Sequence, residues 1–401
     1  MSSLVPIIPD YLFSNELNVT AESSRYGPAS LSPLQRKYET LEDDNGPLGA
    51  LLASKAFVQL AFTPVMGYLT EILGCNIPLL IGSCNMLFAS VLFAYGNSYG
   101  ILVLARALHG SSSAAIAVSG MCILAKHLPK ELRVKLMPLS FGGIALGVLI
   151  GYPLGGAAYQ LLGKAAPFLF IGFFVAVNIV LQVRYLKEDD IENIAQPIQE
   201  NYTEWVSLLK DKQIIITAIS ICACTSTMAV LEPCVPMCVG YFIGSHFAAL
   251  LPVLPWRIAI SGMVLAGLSC CALPLSNSIF QLALPHFGIG LGVGALDAAL
   301  VPMLASFVDN KGSTHYGPVY ALQQASVAVA YSFGPLLGGQ AVHYLGFPWL
   351  IRIVGFMNLL VCPLLLELDL EKKKKIIFSE DQLPSYSSIE NTQSVTQNSW
   401  E

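Results

Sequence analysis

Stretches of about 20 mainly apolar residues recur along this chain of 401 residues, each long enough as a helix to cross the hydrocarbon core of a bilayer. They cover 48–70, 77–95, 99–125, 136–162, 165–185, 213–239, 257–276, 279–308, 316–343 and 346–367, ten in all. Two further apolar pieces, 4–13 and 241–255, are too short to cross unaided. Hydrocarbon offers no water to satisfy backbone N–H and C=O groups, so a single run of this length spans as a helix. The expected class is an all-α membrane protein. Only 12% of residues are charged, about half the share typical of soluble domains, which leaves too little charge to wet a soluble surface. The net charge of −5 is mild, and there is no basic stripe, zinc-ligand spacing or phosphate-binding glycine loop. A nucleic-acid partner, a metal and a cofactor are therefore not expected. Almost all of the ten cysteines, including Cys222, Cys224, Cys270, Cys271 and Cys362, lie in apolar runs and read as small hydrophobes.

Polar stretches at 14–46, 186–212 and beyond 368 divide the runs. They suggest a first helical half at 1–185 with a loop at 14–46, a linker at 186–212, a second half at 213–368 and a disordered tail at 369–401. Lysine and arginine mark cytoplasmic loops. If every run spans and 241–255 completes a helix, 14 basic residues fall on one side. Lys126, Lys130, Arg133, Lys135, Arg184, Lys187, Lys210, Lys212, Arg257, Lys311 and the run Lys372 to Lys375 make up this set. The other side holds Arg25, Arg36, Lys37 and Lys164. This places the linker and the C-terminus in the cytoplasm, and the 14–46 loop, with its glycosylation sequon at Asn18, on the opposite face. The piece 4–13 reads as the last turns of a helix whose start is missing.

An internal repeat separates a transporter from a generic bundle. The segment Gly151 to Gly163 aligns without gaps to Gly334 to Gly346, with seven of thirteen positions identical, including the pairs Gly155/Gly338 and Gly163/Gly346. Each copy precedes a helix that starts near a proline, Pro167 or Pro348. Such a duplication fits two six-helix halves with a binding site between them at the midplane. Gly143, Gly147, Gly151 and Gly155 recur every four residues, a spacing that lets helices approach closely, and Pro153 adds a place to bend. Gly334 and Gly338 hold the matching places in the second half.

Charges inside a span are costly and mark function by default. Lys55, with Gln59 one turn along, Arg106, Glu232 and Asp297 are of this kind. Arg352 lies near a helix end and can snorkel. A structural charge cluster and proton coupling are both open to such a set, and removing one member of a buried cluster leaves another unpaired, at about 3–5 kcal/mol.

Several stretches together resemble the vesicular neurotransmitter transporters of the monoamine/acetylcholine kind, in the major facilitator superfamily. They are Val5 to Pro9, Leu52 to Leu60, Leu104 to Gly110, Gly147 to Gly156, Gly163 to Leu169, Leu231 to Pro233, Asp297 to Asp309, Tyr316 to Ala321 and Gly346 to Leu350. The likeness covers about 4–368. It implies two pseudo-symmetric six-helix halves, here with ten complete spans and two fragments. It also implies exchange of lumenal protons for a cytosolic cationic transmitter across a synaptic or secretory vesicle membrane. Lys55, Arg106 and Glu232 match the family's interior charged network, and Tyr320 falls in its Tyr-Gly-x-Val-Tyr-Ala motif.

The departures are as specific. Asn178, Gln324 and Asn358 stand where the resemblance puts carboxylates in the sixth, eleventh and twelfth helices, with Gln323 before Gln324. Together with Gln59 and Tyr320 they are candidates to line the substrate cavity. The chain begins after the family's first-helix aspartate, and the stretch from Pro236 to Tyr241 is short. The expectation is a truncated first helix and a truncated eighth, as in a partial chain or splice form, nearest an orphan insect-type branch. Amides cannot ionise, so ordinary monoamine exchange is in question. A multidrug-type antiporter of the same superfamily and a transport-inactive form that acts through assembly are the alternatives. An enzyme is not expected: no interior Ser/His/Asp set has nucleophile spacing, and His109 replaces a family glutamine on a packed face. The run Lys372 to Lys375 should attract anionic lipid, and Tyr386 to Ile389 fits a tyrosine-based sorting pattern.

Overall fold

Eleven α-helices account for nearly all of the residues that the computed structural model describes, namely 45–185, 206–231, 234–251 and 253–381. They are α1 Asn45–Ile72, α2 Asn76–Tyr95, α3 Tyr99–His127, α4 Lys130–Leu162, α5 Ala165–Tyr185, α6 Lys212–Val230, α7 Val235–Leu250, α8 Pro255–Ala272, α9 Ile279–Asn310, α10 Gly317–Leu345 and α11 Phe347–Asp381. The piece 4–13, Asn18 and Glu232 lie outside the described residues. Eight of the helices are long and apolar enough to cross a membrane. Two others, α1 and α10, run to 28 and 29 residues.

The eleventh, α7, corrects the sequence reading. The run 213–239 is not one span: α6 stops at Val230, Leu231 turns to extended backbone, and α7 starts at Val235 after an extended Cys234. Two prolines, Pro233 and Pro236, fall within that run. A residue before proline is disfavoured in the helical region, and proline has no N–H to continue the ladder. Residues 241–250 of the short piece are thus the greater part of a separate 16-residue helix, Val235–Leu250, about 24 Å long. A second correction concerns the tail: α11 continues through 369–381 instead of ending at 368. Strong helix formers such as Leu370, Glu371 and the lysine run favour this.

Helix ends follow local chemistry. Ser98, Ser278 and Asp211 cap α3, α9 and α6 by accepting the N–H of Ile101, Gln281 and Gln213. The repeat seen in the sequence reappears as geometry: Gly163 (φ 89°) ends α4 and Gly346 (φ 79°) ends α10, each donating its N–H to a carbonyl four residues back. Both sit in the left-handed region, where glycine has no steric penalty.

Packing falls into two groups. In α1–α5, α3 packs on α1 and α2, and α5 on α2 and α4. In α6–α11, α9 is sandwiched between α7 and α8, while α6 touches α10 and α11. The groups meet where α1 and α3 face α10, and where α4 faces α7 and α9. Large apolar side chains on the outer faces, such as Phe88, Phe173, Val180 and Leu360, are exposed, as suits a surface solvated by lipid.

Alternate glycines of α9 serve its two neighbours. A Cβ on Gly290 or Gly294 would lie 1.9 or 2.4 Å from the carbonyl oxygens of Met237 and Tyr241 on α7. One on Gly292 would lie 2.3 Å from that of Gly262 on α8. On α4, a Cβ on Gly143 or Gly147 would meet no atom within 4 Å. Gly151 is half-buried, Gly155 buried, and Pro153 exposed in a helix that runs on unbroken to Leu162. Gly334 does mark a close approach, 2.9 Å from the Ala229 methyl of α6, and Gly338 makes ordinary contact there. Gly290→Ala is expected to destabilise the solubilised protein by about 3 kcal/mol or more, since backbone cannot yield to the added methyl. Gly143→Ala should stay within about 0.5 kcal/mol. Thermal unfolding followed by size-exclusion fluorescence separates the two.

Candidate functional site

Polar side chains gather in two places, at one end of the bundle and within the spans. The end site centres on the loop between α9 and α10, where Gly312 (φ 70°) makes the turn. Arg133, in the first turn of α4, donates from Nη1 to Asp309 Oδ2 at 2.8 Å and from Nη2 to the Tyr316 hydroxyl at 3.3 Å. The Tyr316 hydroxyl donates to the other Asp309 oxygen. The guanidinium also lies 5.3 Å from the Tyr316 ring centroid and donates to Leu128 O. Arg133 and Asp309 side chains are each 10% exposed, so this ion pair is close to fully desolvated, whereas Lys130, 3.7 Å from Asp309, is 67% exposed. Burial pushes the Tyr316 phenol above its ordinary range, and its bond to Asp309 adds to this.

The same loop makes two more ties. His315 Nδ1 meets Glu71 Oε2, at the end of α1, at 2.6 Å, and Glu71 Oε1 accepts the Gly317 N–H at 2.9 Å. Lys311 pairs with Asp211 at 2.7 Å. Burial alone would raise the Asp211 carboxyl, but the Lys311 bond and the N–H of Gln213 outweigh it and hold it below its ordinary value. Above these contacts the chains close tightly. An added Cβ on Gly67 would lie 2.6 Å from the Ala321 methyl. Tyr320, fully buried, points its hydroxyl to Val301 O (3.4 Å) and Met137 Sδ (3.6 Å), so it packs within the closed end.

The second place is interior and falls into two patches. Lys55, Gln59, Arg106 and His109 share the α1–α3 interface. A Cβ on Gly110 would lie 2.4 Å from Lys55 O, which shows how closely the backbones approach. Arg106 Nε donates to Leu51 O at 3.3 Å, and Lys55 and Arg106 lie in electrostatic range of each other and of His109. His109 Nδ1 is buried without a hydrogen-bond partner.

Asp297 belongs to the other patch. It is buried in mid-α9, where Oδ2 accepts the Tyr241 hydroxyl of α7 at 2.7 Å and Oδ1 has no partner. Buried in the same helix group are Gln323 and Gln324 on α10 and Asn358 on α11. The Gln323 Oε1 and Asn358 Oδ1 atoms also lack partners, while Asn358 Nδ2 donates to Val354 O. Among the described residues no ion pair links Asp297 to Lys55 or Arg106, and Glu232, the fourth charge read from the sequence, lies outside them. Asn178 sits elsewhere, on the exposed face of α5 between Phe174 and Leu181.

Sequence reasoning singled out Asp297 but not its partner Tyr241, which lay in a piece too short to read as a helix. It counted Arg133 and Lys311 only as topology marks. Asp309 and Tyr316 were visible as motif ends, without their role. Nothing in the sequence pointed to Glu71 or His315.

Helices in two groups meeting across a polar closed end, with a repeated α4/α10 terminus, define a major facilitator transporter fold. The Major Facilitator Superfamily model matches residues 1–254 and 233–397. The chain superposes on the human organic anion transporter MFSD10 (TM-score 0.69, 17% identity, 91% of this chain and 95% of that one). It also superposes on the proton:xylose symporter XylE (TM-score 0.64, 14% identity, 84% and 87%). It is 35% identical to the human synaptic vesicular amine transporter over 81% of this chain and 67% of that protein. It is 33% identical to the rat chromaffin granule amine transporter (86% and 70%) and 31% to the Tetronarce californica vesicular acetylcholine transporter (90% and 76%). The chain belongs to the vesicular amine transporter family. It spans about two thirds of the length of the amine transporters it matches.

Asp309→Asn leaves the Arg133 charge nearly buried and unpaired, a loss of several kcal/mol in comparable pairs. It should therefore open the closed end, whereas Lys130→Ala, an exposed partner, should change it by less than about 1 kcal/mol. A cysteine at Thr70, fully buried beside Gly317, is the reporter, in a background lacking the exposed Cys84. Asp309→Asn is expected to speed its labelling by a membrane-impermeant thiol reagent at least tenfold, and Lys130→Ala by less than about fivefold.

Proposed function

We propose that this protein is a proton-coupled antiporter that loads a small cationic or polar amine-like substrate into vesicles by alternating access. The observation that carries this reading is the Asp297–Tyr241 pair. Among the described residues Asp297 is the carboxylate placed mid-span, with one oxygen held by a phenol and the other left open. An intramembrane carboxylate is expensive and persists where it binds something. Ionised, it attracts an ammonium group; protonated, it releases one. A single such group thus couples a proton to a cation without a second titrating side chain. Gln323, Gln324 and Asn358 supply neutral hydrogen-bonding atoms that orient a polar substrate and add no further charge.

On this reading the closed end is cytosolic, because Arg133, Lys130 and Lys311 lie there with the basic loops. The C-terminus shares that side, and the lysine run Lys372 to Lys375 meets anionic lipid. The linker 186–212 joins an N-terminal half, 1–185, to a C-terminal half, 213–368. Lys55, Arg106 and Glu232 form an interior charge network of the first half and its neighbour, and Gln59 lines the cavity beside it. Rocking opens the cytosolic face by breaking the Asp309 and Glu71 contacts and closes the lumenal one.

Reconstituted vesicles with an acid interior test the reading. Candidate radiolabelled amines are expected to accumulate, and an ionophore that collapses the proton gradient should abolish uptake. Asp297→Asn should reduce gradient-driven uptake to background, while Tyr241→Phe, which keeps the carboxylate, should retain a measurable rate, about tenfold lower. Accumulation that survives gradient collapse, or that survives Asp297→Asn, would sink the antiport reading.

A further inference from the structure

The closed end carries a tie whose strength depends on a titratable group facing a carboxylate from the other helix group. Glu71, at the last turn of α1, uses both oxygens across the interface. One accepts the N–H of Gly317 and so caps the start of α10, and the other meets the imidazole of His315 at 2.6 Å. The Glu71 side chain is 5% exposed and that of His315 16%. An added Cβ on Gly317 would come within 2.4 Å of Thr70 Oγ1 and 2.7 Å of Glu71 Oε1, so the start of α10 lies this close to α1 only with glycine at this position. We propose that Glu71 and His315 form a second latch on the closed face, holding it shut while the imidazole is protonated and easing when it is neutral.

Histidine changes charge near neutral pH. Charged, it forms an ion pair with the Glu71 carboxylate; neutral, it contributes a hydrogen bond to that carboxylate without the attraction of opposite charges. The open state loses the carboxylate, so the closed state binds the proton more tightly. The latch is therefore complete at acid pH and weakens as pH rises through the histidine's titration. The other groups facing this corner do not supply such a step. They include the basic side chains Arg133 and Lys130 on α4, Lys126 on α3 and Lys311 in the loop, and lysine and arginine as residue types do not change charge near neutral pH. Asp309 is ion-paired, and Tyr316 is pushed up by burial. The free thiols of Cys75, at the α1–α2 turn, and Cys122 on α3 are fully buried and hydrogen-bonded to each other. The proposal rests on the alternating-access reading; if the closed face is cytosolic, acidification of the cytosol holds the transporter shut.

The test uses spin labels at Glu131→Cys on α4 and Lys210→Cys before α6, both exposed. Cys84, Cys222, Cys234 and Cys271 are replaced by serine in the full chain. Double electron–electron resonance in lipid then reports the open fraction at pH 6 and pH 8 with no substrate present. The open fraction of the parent is expected to rise about fivefold between the two, a change within the reach of one charge-assisted contact. His315→Gln, neutral throughout, should be open and flat with pH. His315→Lys, charged throughout, should be closed and flat, and so guards against reading misfolding as opening. A parent that shows no pH step, or a step of the same size in His315→Gln, overturns the latch. Because no substrate enters the measurement, a failure of amine uptake leaves this result independent.

Discussion

Closure of one end of the bundle depends on the carboxylate of Asp309. It ends α9, receives a guanidinium from α4 on one oxygen and a phenol from α10 on the other. Taking an ion pair out of water is expensive, and the mutual attraction repays it only when spare lone pairs and protons find partners. Here several do: Arg133 also donates to Tyr316 and to Leu128 O, and its guanidinium lies over the Tyr316 ring. Because the two charges come from different helix groups, the satisfied network exists only when the groups are together. When the groups part, water takes over both charges, so on the alternating-access reading the contact is a gate that opening can release without leaving a buried charge unpaired.

Within each group the forces differ in kind. The Gly290 and Gly294 positions bring α9 onto the backbone of α7, and Gly292 brings it onto α8, with no room for a single methyl. Lipid tails are as apolar as leucine, so close van der Waals packing of small residues holds such helices together. Contacts of that kind are short-ranged and fail abruptly on sliding, so α7, α8 and α9 act as one block. Between the groups, the closed end relies on hydrogen bonds and ion pairs, which water can replace as they part. A molecule built this way bends at its polar seam and not through its glycine-packed interior.

The spans were legible because hydrocarbon demands long apolar helices, and the duplicated segment was legible because both copies must end in a left-handed glycine, Gly163 or Gly346. The division between α6 and α7 was not, since hydropathy does not register a proline break inside an apolar run. Gly143 and Gly147 of α4 face open space while Gly290, Gly292 and Gly294 of α9 meet backbone: a regular glycine spacing places small residues on one face but does not say what that face meets. Asp297 stood out by the cost of its charge. Its phenol partner, 56 residues earlier, did not, nor did the pairing of Glu71 with His315, 244 residues apart. Sequence exposes what a residue costs; which partner offsets that cost is set by tertiary packing.

Asp297 and Asp309 lie on the same helix, twelve residues apart, about 18 Å at the rise of an α-helix. The helix is continuous between them, through Pro302, and the glycine contacts with α7 and α8 lie just before Asp297. Whatever occupies the open oxygen of Asp297 therefore acts on the same rigid body whose far end carries the gate carboxylate. A substrate or proton that binds better in one arrangement of the two helix groups shifts the balance by that difference and no more. On the antiport reading, coupling then needs no relay of side chains through the membrane. It needs one stiff helix with a binding carboxylate at its middle and a gating carboxylate at its end, and a seam weak enough for the first to decide the state of the second.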